Sequence, residues 1–282
     1  MTPPPLRPRV LRALVRPLIV AGALGAAAGV ATRATGQPPG PGATVELATV
    51  SGADAQARAV VPWGPGERLE YEVRFGRLRV GSGFVEVREM ETVRGREAYH
   101  TVFQVRGGII GYRVNDVLES WIDTRTLASL RFVKDQEEGG RSRETRYEFF
   151  PERGTYQEHG KGEERSVPQP LDDGSFLFLV RTLPLRTGDV YELHRYFKVD
   201  RNPVRIRVLR RERVRVPAGT FDAIVVQPTF KSKGLFGEGG RAEVWLSDDE
   251  SRHLIQMKSS LPVGSLNLYL RNRTDGTRLS TR

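Results

Sequence analysis

The chain has 282 residues, with 44 Lys and Arg against 34 Asp and Glu, so its formal charge is +10. Hydrophobic residues make up 38% of it, a composition that is typical of a folded domain and excludes collagen-like, coiled-coil and disordered chains. Cysteine is absent, which excludes a disulfide framework, a thiol nucleophile, a Cys-ligated zinc site and the lipidated cysteine of a lipoprotein. The 30 glycines and 18 prolines favour an all-β fold of short strands joined by tight turns.

The amino terminus predicts an export signal. Residues 1–17 carry arginines and no acid, residues 18–31 are apolar or small, and Thr32-Arg33-Ala34 offers a small-x-small cleavage step. The apolar run is shorter than the roughly 20 residues that a transmembrane helix needs, so a signal peptide over 1–34 is predicted and an uncleaved anchor is the alternative. Its removal leaves 39 basic against 34 acidic residues, so half of the formal charge belongs to the signal.

A flexible linker rich in Pro, Gly and Ala is predicted over residues 35–60. From Val61 apolar and polar residues alternate, as in Leu69, Tyr71 and Val73, which is the period of half-buried strands. The apolar parity shifts near Gly81, where a bulge is predicted. Further strands are predicted at 85–87, 99–105, 112–122, 147–149, 191–199, 204–208, 221–230, 244–246, 254–258 and 266–270.

One dense apolar stretch does not alternate. Residues 175–183 are predicted to form a short helix, capped by Asp173 or Ser175 and stopped by Pro184, whose apolar face plugs the open side of a curved sheet. The predicted fold is therefore all-β and mainly antiparallel: a curved sheet of roughly a dozen strands that forms a half-open barrel or a two-layer sandwich, with one short helix. Residues 61–275 are predicted to be a single β domain, and 276–282 a tail.

No motif of known chemistry is found. The chain has no Gly-x-Ser-x-Gly elbow, phosphate loop or dinucleotide fingerprint, and its four histidines lack the spacing of metal ligands. A carboxylate pair assembled from Asp116, Glu119 and Glu243 stays open as a hydrolase alternative. No catalytic residue, metal or cofactor is predicted, and a non-enzymatic protein is favoured.

The densest basic run, residues 205–215, alternates with apolar residues and predicts the wet face of a strand. An exported protein rarely meets nucleic acid, so no nucleic-acid partner is expected. A lipid or an anionic membrane surface is the favoured partner for such a stripe.

Two glycine-rich connections, 107–111 and 231–240, contain large apolar residues where polar ones are usual. If these connections fold back over the mouth of the barrel, their apolar residues are part of the core. If they are exposed, the apolar residues form a lip that admits a hydrophobic ligand, and the lysines pair with phosphate. Two tryptophans, opposite in parity to the apolar series of their strands, would add a second apolar surface. The candidate ligand-binding residues are Ile109, Ile110, Lys231, Lys233, Leu235, Phe236, Trp121 and Trp245.

Three segments carry a family resemblance: 175–188, 216–223 with the sequence VPAGTFDA, and 244–249 followed by 261–265. In this order they resemble the exported bacterial family catalogued as domain of unknown function 3108, over about residues 62–272. The resemblance implies an exported, predominantly β protein of bacteria with an outer membrane. It implies no activity and no catalytic residues.

The leading hypothesis is a non-enzymatic periplasmic β protein that binds a lipid or another amphipathic component of the cell envelope. The second is a structural or protein-interaction module of envelope assembly, which would use exposed edge strands or the tryptophan face and have an envelope protein as partner. The third is a carbohydrate-active enzyme with dispersed acids.

Overall fold

The computed structural model describes residues 44–45, 58–109, 112–231, 241–261 and 264–278. The predicted signal peptide, most of the predicted linker, and the candidate residues Ile110, Lys233, Leu235 and Phe236 lie outside these ranges. No helix within them is long and apolar enough to cross a membrane.

The described ranges form fifteen strands, one α-helix and a 3₁₀ helix. The strands are β1 Thr44–Val45, β2 Arg68–Phe75, β3 Leu78–Val93, β4 Arg96–Ile109, β5 Tyr112–Asp123, β6 Ser129–Glu138, β7 Arg141–Phe150, β8 Thr155–Glu158, β9 Glu163–Arg165, β10 Val190–Leu193, β11 Val204–Val216, β12 Gly219–Thr229, β13 Arg241–Ser247, β14 Leu254–Leu261 and β15 Gly264–Thr274. The helix α1 is Ser175–Arg181, and the 3₁₀ helix is Val199–Arg201.

All the strands belong to one sheet in the order β1-β10-β11-β12-β13-β14-β15-β2-β3-β4-β5-β6-β7-β8-β9. Every pairing is antiparallel except that of β1 with β10, and the two ends of the sheet do not pair with each other. The sheet curves around one main core, which also takes in α1. The predicted all-β, mainly antiparallel, half-open architecture is confirmed. β1 falls inside the predicted linker, so two of its residues add to the edge of the sheet.

Successive hairpins of an antiparallel sheet alternate between its two ends. The β2–β3, β4–β5, β6–β7, β12–β13 and β14–β15 connections fall at one end, which we call the glycine-rich end after the composition of these segments. The β3–β4, β5–β6, β11–β12 and β13–β14 connections fall at the other, which we call the opposite end.

The predicted bulge lies where the parity of the sequence shifts. The register of β2 and β3 pairs Val73 with Gly81 and Arg74 with Arg79, so Val80 has no partner. Gly81 pairs in turn with Gly107 of β4, and the two backbones lie close together. A Cβ atom at Gly81 would lie 2.1 Å from the carbonyl oxygen of Arg106.

Gly81→Ala is therefore expected to lower the free energy of unfolding by about 1–3 kcal/mol, because the strands must move apart to admit the methyl group. Gly162→Ala is the matched control, since a Cβ atom there meets no atom within 4 Å. Urea denaturation of both variants checks this prediction, and equal stabilities would contradict it.

Helix α1 begins where predicted and ends two residues earlier. The predicted cap was wrong: Oδ1 of Asp172 accepts the backbone N–H groups of Gly174 and Ser175, both at 2.8 Å. Asp173 instead turns away from the helix and accepts the Tyr196 hydroxyl at 2.7 Å. Asp172 thus caps the helix and Asp173 binds Tyr196, and the sequence pattern does not distinguish between these two adjacent acids.

The apolar face of α1 fills the concave side of the sheet, as predicted. Phe178 packs edge-on against Trp63, with ring centroids 5.2 Å apart, and Phe176 packs against Phe230 at 4.7 Å. Leu179 and Val180 are also buried in the main core. The helix therefore covers the open side of the curved sheet, where a closed barrel would have further strands.

Strand β6 was not predicted, because its inward side chains change character along its length. Register with β5 and β7 places Phe132, Lys134, Gln136 and Glu138 on one face, the concave one. Only the first is apolar, so no apolar alternation marks the strand. The concave wall is apolar beside α1 and polar toward the glycine-rich end.

Candidate functional site

The polar part of the concave wall is built on β5 and β6. Asp116 pairs opposite Gln136, while Lys134 and Glu138 lie two residues to either side on the same face. Asp116 is fully buried, and neither of its oxygens makes a hydrogen bond of ordinary geometry within the described chain. A carboxyl group in such a place favours its neutral form.

The electrostatics of Asp116 follow from that position. Burial raises its pKa to about 7, and the negative charge of Glu138 acts in the same direction. The amide of Gln136 and the ammonium of Lys134 act in the opposite direction and are outweighed. Asp116 therefore takes up a proton near neutral pH.

Lys134 also faces the residues that precede α1. Its Nζ lies 4.0 Å from Oδ2 of Asp173, whose other oxygen accepts the hydroxyl of Tyr196. Burial raises the pKa of Asp173, and the charge of Lys134 opposes that effect. These contacts join β6, the start of α1 and the 194–203 loop, so they fix the position of the loop.

The dispersed acid pair considered for a hydrolase does not form. Asp116 faces the concave side, whereas Glu119 lies on the convex side and binds His100 at 2.7 Å. Glu243 accepts a hydrogen bond from Arg210 at 2.9 Å. Residues 116 and 119 are an odd number of positions apart on one strand, which places them on opposite faces. Within the described ranges, no group of three His, Asp or Glu side chains could hold a metal ion.

At the opposite end a buried ion pair joins α1 to the sheet. Arg181 donates to both carboxylate oxygens of Glu67, at 2.6 and 2.7 Å, and to the carbonyl of Ser251 at 2.9 Å. Nε2 of His253 lies 3.5 Å from Glu67. Although burial acts to raise it, the pKa of Glu67 is held below its usual value by Arg181. This pair closes the end of the core around Trp63, over which the guanidinium lies at 5.3 Å.

The interior between α1 and the sheet is nearly filled. A cavity of about 20 Å³ lies there, lined by apolar residues such as Leu69, Phe103 and Leu246. That volume holds about one water molecule, whereas small-molecule pockets occupy about 300–1,000 Å³. The described core has no room for a lipid chain at this place.

The candidate residue Trp121 lies on the convex face with 8% of its surface exposed. Its ring stacks on His100 at 4.3 Å, and its indole N–H donates to Glu91 at 2.8 Å. The guanidinium of Arg131 lies 5.4 Å from the ring. The predicted parity of Trp121 is confirmed, but charged and polar side chains cover its ring.

Trp245 has the same arrangement on β13, with 3% of its surface exposed. Its indole N–H donates to Glu212 at 2.6 Å, and the ammonium of Lys258 lies 5.1 Å from the ring. Glu212 in turn binds Arg210. Both tryptophans are thus packed under ion pairs of their own sheet.

The structure brings the two predicted glycine-rich connections to the same end of the sheet. Ile109 ends β4 at the glycine-rich end, and Lys231 follows β12 there with an exposed side chain. Sequence reasoning missed two further segments at this end. The β2–β3 hairpin exposes Leu78 (69%) between Arg77 and Arg79, and the 3₁₀ helix exposes Val199 (48%).

Lys198 precedes Val199 with its ammonium 5.4 Å from the ring of Phe197. We call Arg77, Leu78, Arg79, Lys198, Val199 and Lys231 the rim. Leu78 could have been found in the sequence, because it is an apolar residue between two arginines, the first of which directly follows Gly76. Val199 could not, because it continues the alternation that predicts strand 191–199.

The predicted basic stripe on β11 is largely neutralised. Arg205 binds Glu192 and Arg211 binds Asp248, both at 2.7 Å, while Arg210 bridges two glutamates. The cations of the rim differ, since Arg77 and Lys231 make no ion pair within the described chain. The glycine-rich end therefore carries at least these two cations without an acidic partner in the described chain.

Among solved structures, a β-barrel-like protein of domain of unknown function DUF1849 from Brucella abortus is 12% identical, with a TM-score of 0.50 over 78% of this chain and 100% of that one, which is a likeness of fold. A candidate lipoprotein from Parabacteroides distasonis is 11% identical, with a TM-score of 0.36 over 76% and 99% of the two chains. A candidate exported protein with a YmcC-like fold from Bacteroides fragilis is 10% identical, with a TM-score of 0.30 over 77% and 100%.

No functionally curated protein matches the chain. A family model described as "Protein of unknown function (DUF3108)" matches residues 70–271, most of the described body. The three segments noted in the sequence all lie within or across that match, so the resemblance is confirmed. The chain belongs to the DUF3108 family.

Proposed function

We propose that this protein is an exported, non-enzymatic protein of the bacterial cell envelope that binds an anionic amphipathic molecule, a lipid, at its rim. The observation that carries the proposal is the coincidence of exposed apolar and cationic side chains at the glycine-rich end. The predicted signal peptide and family resemblance support export to the periplasm.

The β2–β3 hairpin is the main contact in this proposal. Leu78 is more than two-thirds exposed, and both flanking arginines are exposed as well. Arg79 keeps a loose ion pair with Glu72, at 3.7 Å, whereas Arg77 has none within the described residues. An apolar tip between two cations suits a membrane interface, because the leucine enters the acyl region while guanidinium groups meet lipid phosphates.

Two other parts of the rim extend this surface. Val199 is half exposed and follows Lys198, while Lys231 stands at the end of β12. Burial lowers the pKa of Lys198, and the charge of Arg201 acts in the same direction, so an anion bound here would favour its charged form. The candidate residues Ile109, Ile110, Lys233, Leu235 and Phe236 belong to connections at this end and are proposed as further contacts.

The geometry favours the rim over the interior as the binding surface. The described core is filled by α1, and the cavity beside the helix has a volume of about 20 Å³. Trp121 and Trp245 are covered by ion pairs, so they support the convex wall in this proposal and do not contact the ligand directly.

Leu78→Asp is expected to weaken binding to phosphatidylglycerol vesicles about tenfold or more, since it removes the apolar side chain that would enter the acyl region and adds a negative charge that the anionic lipids repel. Arg77→Gln should weaken it about fivefold, because a cation near an anionic surface contributes about 1 kcal/mol. The measurement is co-sedimentation at low salt of the protein purified from the periplasm.

Val60→Asp is the matched control, because Val60 is the most exposed large apolar residue of the described ranges (82%) and lies at the opposite end. This variant should bind as the unaltered protein does. Equal weakening by the Val60 and Leu78 substitutions would contradict the proposal. It would also be contradicted if the unaltered protein and every variant bound phosphatidylcholine vesicles as strongly as they bind phosphatidylglycerol vesicles.

A further inference from the structure

Half of strand β7 has a free edge. β7 pairs with β6 from Arg141 to Glu148, but it pairs with β8 only from Tyr147 to Phe150. Within the described chain, no strand pairs with residues 141–146 on the side away from β6. A sheet edge of this length presents unpaired backbone donors and acceptors to any extended segment.

The backbone groups that face this side can be identified. The carbonyl of Arg146 accepts the N–H of His159 at 2.8 Å, so the backbone groups of Arg146 point away from β6. Orientation alternates along an antiparallel strand, and therefore the N–H and C=O groups of Ser142 and Glu144 point the same way. Odd-numbered residues, such as Arg143, complete the ladder with β6.

A groove runs beside the free edge. Its volume is about 500 Å³, and it is lined by Glu144, Thr145, Arg146 and Glu148 on one side and by residues 157–160 on the other. Three of the lining residues are glutamates, the third being Glu158, while Arg141 and Arg143 lie outside the lining. The two strands that end the sheet offer much less, since β9 has three residues and β1 has two. The edge of β7 thus combines a length of unpaired strand with an adjoining space.

The charges along this edge indicate the chemistry of its occupant. Arg141 and Arg143 are exposed, share one face of the strand and make no ion pair within the described residues. Arg146, on the other face, lies 3.3 Å from Glu148 and is already paired. A strand added beside Arg141 and Arg143 would therefore place acidic side chains next to them, at alternate positions.

We infer that the free edge of β7 is an interaction surface that takes an extended, acidic segment of a partner protein as an added strand. Backbone hydrogen bonds at Ser142 and Glu144 hold the segment, and the two arginines select its charge. This surface is separate from the rim and does not depend on lipid binding.

The test uses a fluorescein-labelled peptide, acetyl-Thr-Glu-Val-Glu-Val-Glu-Thr-amide, and measures its binding by anisotropy. Glu144→Pro should weaken binding at least tenfold, because proline removes an edge N–H and leaves the β6 ladder intact. Glu144→Gln is the matched control and should bind as before. Arg143→Glu should weaken binding about tenfold, and the peptide with Lys in place of Glu should not bind.

Peptide methylated on alternate backbone nitrogens keeps the test independent of how the proline variant folds. This peptide should lose binding to the unaltered protein at least tenfold. The inference is overturned if Glu144→Pro and Glu144→Gln bind alike in folded protein, if the methylated or lysine peptide binds as well as the original, or if the original peptide does not bind at all.

Discussion

Arg181→Met is expected to lower the free energy of unfolding by about 3–5 kcal/mol, the usual cost of removing one partner from a buried ion pair. The substitution leaves the Glu67 carboxylate buried at the opposite end without its bidentate donor. It also removes the contact between the end of α1 and the carbonyl of Ser251. Because α1 fills the concave side of the sheet, the whole core should loosen. Urea denaturation followed by tryptophan fluorescence measures the effect.

Two further variants separate the buried pair from a general loss of charge. Arg205→Met breaks an exposed pair with Glu192 and should change stability by no more than about 1 kcal/mol. The double variant Glu67→Gln, Arg181→Met should recover part of the loss, since no charge is then left buried. If Arg181→Met is no more destabilising than Arg205→Met, the pair does not anchor α1.

Asp116→Asn is expected to stabilise the protein at pH 8 and to flatten the dependence of its stability on pH. Folding raises the pKa of this carboxyl from 3.8 to about 7, so between these values the folded state holds a proton that the unfolded chain releases. Stability therefore rises as pH falls through 7 and is gained in full below about pH 4. The two pKa values correspond to about 4 kcal/mol, and the uncharged amide escapes most of that penalty at pH 8.

Denaturation midpoints of both proteins at several pH values between 5 and 8 check this prediction. Asp172 contributes a weaker dependence of the same sign, because burial raises its pKa to about 6. The stability of Asp116→Asn should therefore still depend on pH, but less steeply than that of the unaltered protein. Asp222→Asn alters an exposed carboxylate and serves as the control. Identical pH profiles for Asp116→Asn and the unaltered protein would contradict the effect of burial on the pKa of Asp116.

The sequence predicted strands whose inward residues are mainly apolar. In β2, Leu69, Tyr71 and Val73 are buried and alternate with charged residues, so periodicity alone located the strand. In β6 the inward series ends in Gln136 and Glu138, and periodicity failed. The strand that periodicity missed forms the polar part of the concave wall. Its polar side chains face inward there, although the sequence pattern alone would place polar residues on the outside.

The candidate site was partly predictable for a related reason. Glycine-rich connections with large apolar residues pointed to the end of the sheet where the rim is proposed to bind, because the composition of a turn is local information. The coverage of Trp121 by Glu91 and Arg131 depends on three different strands, which no spacing in the sequence reports. The free edge of β7 was also not predictable, since it results from the short length of β8.

The most direct test of rim binding uses the absence of cysteine from the chain. Leu78→Cys and Val60→Cys each introduce a single site for a polarity-sensitive fluorophore, at the rim and at the opposite end. With phosphatidylglycerol vesicles, the label at position 78 should shift its emission to the blue, and the label at position 60 should not. Equal shifts at both positions, or no shift at position 78, would contradict lipid binding at the rim.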